Sequence, residues 1–173
     1  MTKALLVIDV QEGMEPEKGA HDGAGVIARI ASLIARARES GTRVIYVQHD
    51  GSAEPGHPLA KGAPGHAIHH AITPEPGETV IGKQHCSSFL NTALDDTLRS
   101  GGIDRLIVCG MQTEYCVDTA VRGASERGYH VTLVADAHTT GDTPVLKARD
   151  VVAHHNHVLR EFAEVVPETV VKF

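Results

Sequence analysis

Leu106-Ile107-Val108-Cys109-Gly110-Met111-Gln112-Thr113-Glu114-Tyr115-Cys116-Val117 passes from a continuous apolar run, through a glycine, into polar residues. Four apolar residues without alternation fit a strand buried on both faces, the condition of a parallel sheet. The residues beyond open a helix from about Glu114 to Gly128. The same unit recurs on either side. Leu5-Leu6-Val7-Ile8 stops abruptly at Asp9. Val26, Ile30, Leu33 and Ala37 then mark one helical face, closed by Gly41 at the C′ position. Arg43 to Gln48 is the second strand, and Val80-Ile81 a short third one leading to Lys83. Ser87 or Ser88 caps a helix through Leu90, Leu94 and Leu98 that ends at Gly101-Gly102. Val131 to Val134 is a fifth strand ending at Ala135-Asp136. A helix follows Pro144, with Val151, Val152, Val158 and Leu159 on its apolar face, and Ala163 to Val166 is the last strand. Strands alternating with helices predict an α/β chain with a mostly parallel sheet and right-handed crossovers. At 173 residues it is read as one domain, 1–173.

Composition removes several functions. Hydrophobic residues at 42% and charged residues at 22% are ordinary globular usage, which excludes disorder, collagen and coiled coil. A net charge of −6 without a basic block argues against nucleic acid, and 3% aromatics with no Trp against base stacking. No apolar run approaches the ~18 residues of a membrane span. Met1-Thr2-Lys3 leads directly into the first strand, and three cysteines without a C-x-x-C pair form no disulfide framework. The expectation is a soluble, cytoplasmic protein that acts on a small molecule.

Ligands of open α/β sheets sit beyond the carboxyl ends of the strands, so the residues there carry the function. Asp9 follows strand one, Lys83 strand three, and Cys116 lies in the first helical turn after strand four. Alone, each has an ordinary explanation: a cap, a solvated lysine, a small buried thiol. Together they are the parts of acyl transfer. A helix N-terminus and a neighbouring ammonium favour the thiolate of Cys116, and Asp9 can carry a proton to a leaving amine.

With these residues in place, the chain resembles the isochorismatase-like cysteine hydrolases, the family that also contains nicotinamidases and N-carbamoylsarcosine amidase. The likeness runs from Leu5 to about Val166. It rests on Asp9-Val10-Gln11, on Lys83 with Ser88-Phe89 and Thr92, and on Val134-x-Asp136-Ala137. Its most specific part is Gly110-x-x-Thr113-x-x-Cys116-Val117 with Thr119-Ala120. The resemblance implies a Rossmann-like, open, six-stranded parallel sheet with helices on both faces, and an Asp9–Lys83–Cys116 triad. It also implies a cis peptide before Gln112 and an oxyanion hole made by the amides of Gln112 and Cys116. Gln11, His49, Phe89 and Tyr115 are the candidate substrate-binding residues. A homo-oligomer is implied as well.

Departures from the family narrow the substrate. Met14 replaces the aromatic typical of nicotinamidases, Trp is absent, and His49-Asp50-Gly51 does not match the Asp-x-His metal set. Nicotinamide is therefore disfavoured. No metal and no cofactor is expected: Gly23-Ala24-Gly25 lacks a dinucleotide fingerprint. The histidines at 57, 66, 69 and 70 belong to a long loop with no standard zinc spacing, and are read as solvated or pocket-lining. His154-His155-x-His157 is read as structural or interfacial, and Cys86 as a small loop residue near the rim. The resulting expectation is a cysteine hydrolase of a small amide-like C–N bond, working through a thioester. Two alternatives compete with it. A vinyl-ether hydrolase would use Asp9 alone and survive loss of Cys116. A His-rich binding scaffold would show no turnover.

Overall fold

The computed structural model describes residues 2–54 and 56–173; Met1, where the expected leaderless start begins, lies outside the described residues. Six parallel strands, β1 (Thr2–Ile8), β2 (Arg43–His49), β3 (Thr79–Lys83), β4 (Ile103–Met111), β5 (His130–Thr139) and β6 (Glu164–Val166), form one sheet in the order β3-β2-β1-β4-β5-β6. The helices are α1 (Pro16–Gly19), α2 (Gly23–Glu39), α3 (Leu94–Ser100), α4 (Asp118–Glu126) and α5 (Ala148–Val158).

The unbroken apolar runs are explained by two cores. Along β1, Leu5 and Val7 pack with Val26, Ile30, Leu33 and Ala37 of α2 on one face. Leu6 and Ile8 pack with Leu94 and Leu98 of α3 and Val121 of α4 on the other. Successive side chains of a strand point to opposite faces, so a strand covered on both sides has no place for a polar residue until it ends.

Three boundaries differ from expectation. The helix read as starting at Ser87 or Ser88 starts at Leu94. The Ser87 hydroxyl accepts from the amides of Phe89 and Leu90, and Asn91 adopts a φ of +55°, so the chain turns before it winds. Thr92 then accepts from the Leu94 amide and donates to the Ser88 carbonyl. The helix after Pro144 begins at Ala148, whose amide donates to Asp142 Oδ1 at 2.9 Å. The intervening residues close on the Thr143 hydroxyl. β5 does not end at Asp136. It shifts register against β4 between Val108 and Gly110 and continues to Thr139. The long loop is not structureless: short 3-10 turns form at Pro64–His66 and His70–Ile72, and Ile68 bridges back to Gln11.

Between β4 and α4 the chain makes a π-helical turn, Thr113–Val117, and β5 and α5 hold it. Thr113 Oγ1 lies 2.9 Å from His138 Nδ1, and His138 Nε2 lies 3.0 Å from Asn156 Oδ1. Asn156 Nδ2 donates to the Ala135 carbonyl at 2.9 Å. Because the Asn156 amide nitrogen is committed to a carbonyl, its oxygen must accept from His138 Nε2–H. His138 is thus neutral, with Nδ1 accepting from Thr113. The expected structural role of the His-Asn run on the last helix therefore falls to Asn156.

Two predictions follow from this packing. Gly110 has a φ of +126°, and a Cβ there would meet the Ile8 carbonyl oxygen at 2.1 Å. Gly110→Ala is expected to cost roughly 3 kcal/mol or more, read as a lowered urea midpoint. Burial holds His138 at about 4, well below its ordinary value. Its stabilising contribution is complete above the unfolded value near 6.5 and is lost as pH falls toward 4, in total roughly 3 kcal/mol. Urea titrations at pH 7 and pH 4.5 should show that loss, and His138→Gln should flatten it.

Candidate active site

Where β1 ends, Asp9 takes a φ of +49°, a left-handed conformation that Asp tolerates better than most residues. Its amide still donates to the Val47 carbonyl of β2 at 2.9 Å, but the chain then leaves the sheet. Two strands away, Lys83 closes β3. Its ammonium sits 2.6 Å from Asp9 Oδ2, with the two side chains 0% and 3% exposed. The same nitrogen donates to Cys116 Sγ at 3.2 Å and to the His85 carbonyl at 3.0 Å, and lies 3.3 Å from His49 Nδ1. Four acceptors surround three protons, which holds the ammonium in place. Cys116 belongs to the π-helical turn, and the peptide bond before Gln112 is cis.

The electrostatics correct one expectation. A helix N-terminus and Lys83 were to draw Cys116 toward thiolate; instead burial and then the Asp9 charge push its thiol up, against the pull of Lys83. Asp9 is itself raised, because burial outweighs Lys83. Burial works against the Lys83 ammonium, but Asp9 and Cys116 more than offset it, and its value rises. His49 is lowered by burial and then by Lys83, so it presents a neutral imidazole. At rest Lys83 is an ammonium set between the Asp9 carboxyl group and a protonated thiol. Asp9 Oδ1 is buried without a hydrogen-bond partner.

The structure brings Asp9, Lys83, Cys116 and His49 together. It does not do so for every residue proposed for the substrate wall. Gln11 is fully buried: its Nε2 donates to the carbonyls of His49 and His66, and its Oε1 accepts from the His49 amide. With every polar atom engaged on backbone, it fixes the long loop and has no group left for a ligand. Phe89 is 6% exposed and lies in the core, under the Arg127 guanidinium and near the Tyr129 ring. Tyr115 is exposed at the surface next to Cys116. Cys86 is exposed, and Cys109 is buried in β4. Three contributors escaped the sequence: the His85 carbonyl, Gln48 and the Asp50–His66 pair. Gln48 holds the His66 carbonyl at 2.7 Å, and His66 Nε2 meets Asp50 Oδ1 at 2.7 Å. Only the histidines of the loop gave a signal, without an address.

Glu12, His69 and His70 are the grouping with metal-ligand potential among the described residues. Their atoms are already engaged. Glu12 Oε1 accepts from the His70 amide and meets His70 Nδ1 at 2.9 Å, and His69 Nδ1 accepts from the Ala71 amide. For an imidazole whose Nδ1 is an acceptor, Nε2 carries the proton, so binding an ion there requires the tautomer to change. Two recesses matter for small ligands. One of about 660 Å³ adjoins the triad through His49 and His85. One of about 750 Å³ lies at the amino ends of β4 and β5, around Arg105 and His130, at the wrong end of the sheet for an open α/β site.

The chain is similar to known proteins over most of its length. The isochorismatase domain model matches residues 3–167. Streptothricin hydrolase of Streptomyces noursei is 38% identical over 143 residues, covering 82% of this chain and 51% of that protein. The chain thus spans about half the length of that relative. Ureidoacrylate amidohydrolase of Methylobacterium radiotolerans is 34% identical over 183 residues, covering 85% of this chain and 71% of that one. An isochorismatase from Pseudomonas putida superposes with a TM-score of 0.90 at 32% identity, over 98% of this chain and 90% of that one. N-carbamoylsarcosine amidase from Thermoplasma acidophilum gives 0.81 at 25% identity over the full length of both. The Asp9–Lys83–Cys116 cluster, its Asp and Lys buried, lies at the carboxyl ends of β1, β3 and β4 of a sheet shared with these proteins, and the chain belongs to the isochorismatase family.

Proposed function

We propose that the 173 residues form one hydrolase domain that cleaves a small amide-like C–N bond through a thioester on Cys116. The observation that carries this is Lys83 Nζ, 2.6 Å from Asp9 Oδ2 and 3.2 Å from Cys116 Sγ in a buried setting. The activities for which the relatives are named, an amidohydrolase and an amidase among them, agree with it.

The chemistry runs as follows. The substrate carbonyl arrives at Cys116, and the thiol proton passes to Asp9 as the C–S bond forms. The oxyanion develops against the main-chain amides of Gln112 and Cys116. Asp9 hands its proton to the departing nitrogen, the C–N bond breaks, and amine leaves. Asp9 then takes a proton from water as the hydroxide adds to the thioester. Collapse of that adduct releases the acid and returns the proton to sulfur. Lys83 stays an ammonium throughout and faces whichever of Asp9 and Cys116 bears the negative charge. No step needs a metal, and turnover is expected to persist after dialysis against EDTA.

The test separates the two roles of Asp9. In Asp9→Asn the carboxylate that opposes ionisation of the thiol is gone while Lys83 remains, so the Cys116 value falls. Iodoacetamide at pH 7 should alkylate Cys116 about tenfold faster than in wild type, read by peptide mapping against exposed Cys86 as internal standard. Ammonia release from an amide panel should fall about 10³-fold, the usual contribution of a general acid–base. Slower alkylation of Cys116 in that variant would refute the electrostatic assignment. Turnover surviving in Cys116→Ala would point to ether hydrolysis by Asp9 instead.

A further inference from the structure

Lys83 meets more acceptors than it has protons. Asp9 Oδ2 at 2.6 Å and the His85 carbonyl at 3.0 Å take two of its N–H groups. The third is shared by two acceptors at nearly equal reach, Cys116 Sγ at 3.2 Å and His49 Nδ1 at 3.3 Å. An ammonium only donates, so His49 Nδ1 accepts and its Nε2 carries the ring hydrogen. The ring is neutral at pH 7, because burial, then Lys83 and lastly His57 hold it below its ordinary value against the pull of Asp9 and Asp50.

The backbone of His49 is pinned on both sides. Register pairs it with Lys83, so the two side chains leave the same face of neighbouring strands. The Asp50 amide then donates to the Lys83 carbonyl at 2.7 Å. On the other side the pairing of β1 with β2 stops at Ile8 and Val47. The Gln11 carboxamide takes over there, accepting from the His49 amide at 2.8 Å and donating to the His49 carbonyl at 3.1 Å. A side chain thus carries the ladder past the end of the strand, and the imidazole is held beside the ammonium.

We infer that His49 is a positioning residue that acts through Lys83: its Nδ1 holds the third N–H while the sulfur is a thiol, and yields it when the thiol proton passes to Asp9. A thiol sulfur is a weak acceptor, so the imidazole nitrogen wins at rest; a thiolate carries a full charge and wins afterwards. The exchange is a rotation about the Cε–Nζ bond with the nitrogen in place, and in neither state is an N–H of the buried ammonium left without a partner. By drawing off that N–H, His49 also helps to keep the sulfur protonated until a substrate arrives. The inference rests on the hydrolase reading for the proton transfer, but not for the hold of His49 on the lysine.

The test is read on the thiol and the imidazole, so that it does not depend on turnover. Leu and Asn are nearly isosteric, and of the two only Asn keeps an acceptor near the place of Nδ1. In His49→Leu the released N–H falls to Cys116 and stabilises its thiolate. Iodoacetamide at pH 7 should therefore label Cys116 about tenfold faster in His49→Leu than in His49→Asn, the usual worth of a charge-assisted hydrogen bond, with Cys86 as internal standard. Wild type should match His49→Asn, and adding Lys83→Met to both variants should abolish the difference. A long-range 15N–1H spectrum of the wild-type protein, in which His49 is assigned by its loss in a variant, should show a neutral ring protonated on Nε2. That tautomer is read on the unaltered site, so a misfolded double variant does not remove the test. Equal labelling of the Leu and Asn variants, faster labelling of the Asn variant, a difference that survives Lys83→Met, or a ring protonated on Nδ1 would each overturn the role of His49. The expected labelling and tautomer without ammonia release from any amide tested would leave the hold of His49 on Lys83 in place and bring down the hydrolase reading alone.

Discussion

A lysine with a fully buried side chain governs the layout of this protein. An ammonium without water is costly unless charge and hydrogen bonds replace the solvent. Lys83 obtains both from groups on four strands' ends or the turns that follow them: Asp9 after β1, His49 at the end of β2, the His85 carbonyl after β3 and Cys116 after β4. The strand order makes this possible. β2 lies between β1 and β3, so a lysine on β3 that reaches Asp9 must pass the end of β2. His49 is therefore beside it by topology. Its imidazole is neutral because burial, and then the neighbouring Lys83 ammonium, oppose a second cation there.

That order also explains which features could be seen in the chain. The strand runs 5–8, 44–47 and 106–109 are apolar because both sheet faces are covered, and the first polar residue after each run marks where cover ends. Asp9 stands out for that reason, Lys83 for closing the short strand after Val80-Ile81, and Cys116 for its place in the turn after β4. Such residues were legible because they break the pattern that burial sets. Helix starts were less legible. Ser87 reads as a cap, yet it closes a local turn instead, and Thr92 and Thr143 close further turns ahead of α3 and α5. A short hydroxyl side chain serves both purposes, and only tertiary packing selects one.

Gln11 and His138 show a deeper limit. Both are polar, buried and beside the site, and a pattern in the chain cannot say whether such a group faces a ligand or the backbone. Gln11 spends both amide protons and its side-chain oxygen on the backbone of His49 and His66. His138 links the turn bearing Cys116 to α5 through Thr113 and Asn156. Their partners lie 18 to 55 residues away for these bonds. The information is in the fold, because a hydrogen-bond inventory becomes decisive only when both ends are known.

The protonated resting thiol looks, at first, like a poor nucleophile. For the proton transfer we propose, the relevant quantity is the difference between Cys116 and Asp9, not the ease with which either exchanges a proton with water. Burial raises both groups, since each would carry a charge away from solvent. When the proton moves from sulfur to carboxylate, the buried cluster keeps its net charge, so most of that penalty cancels. What changes is where the negative charge sits: 2.6 Å from Lys83 Nζ on Asp9 before transfer, 3.2 Å from it on Cys116 afterwards. The ammonium stabilises both states from nearly the same position. Under the proposed mechanism, such a site keeps the thiol guarded against bulk reagents while leaving the internal transfer open to a substrate that offers its carbonyl at the sulfur.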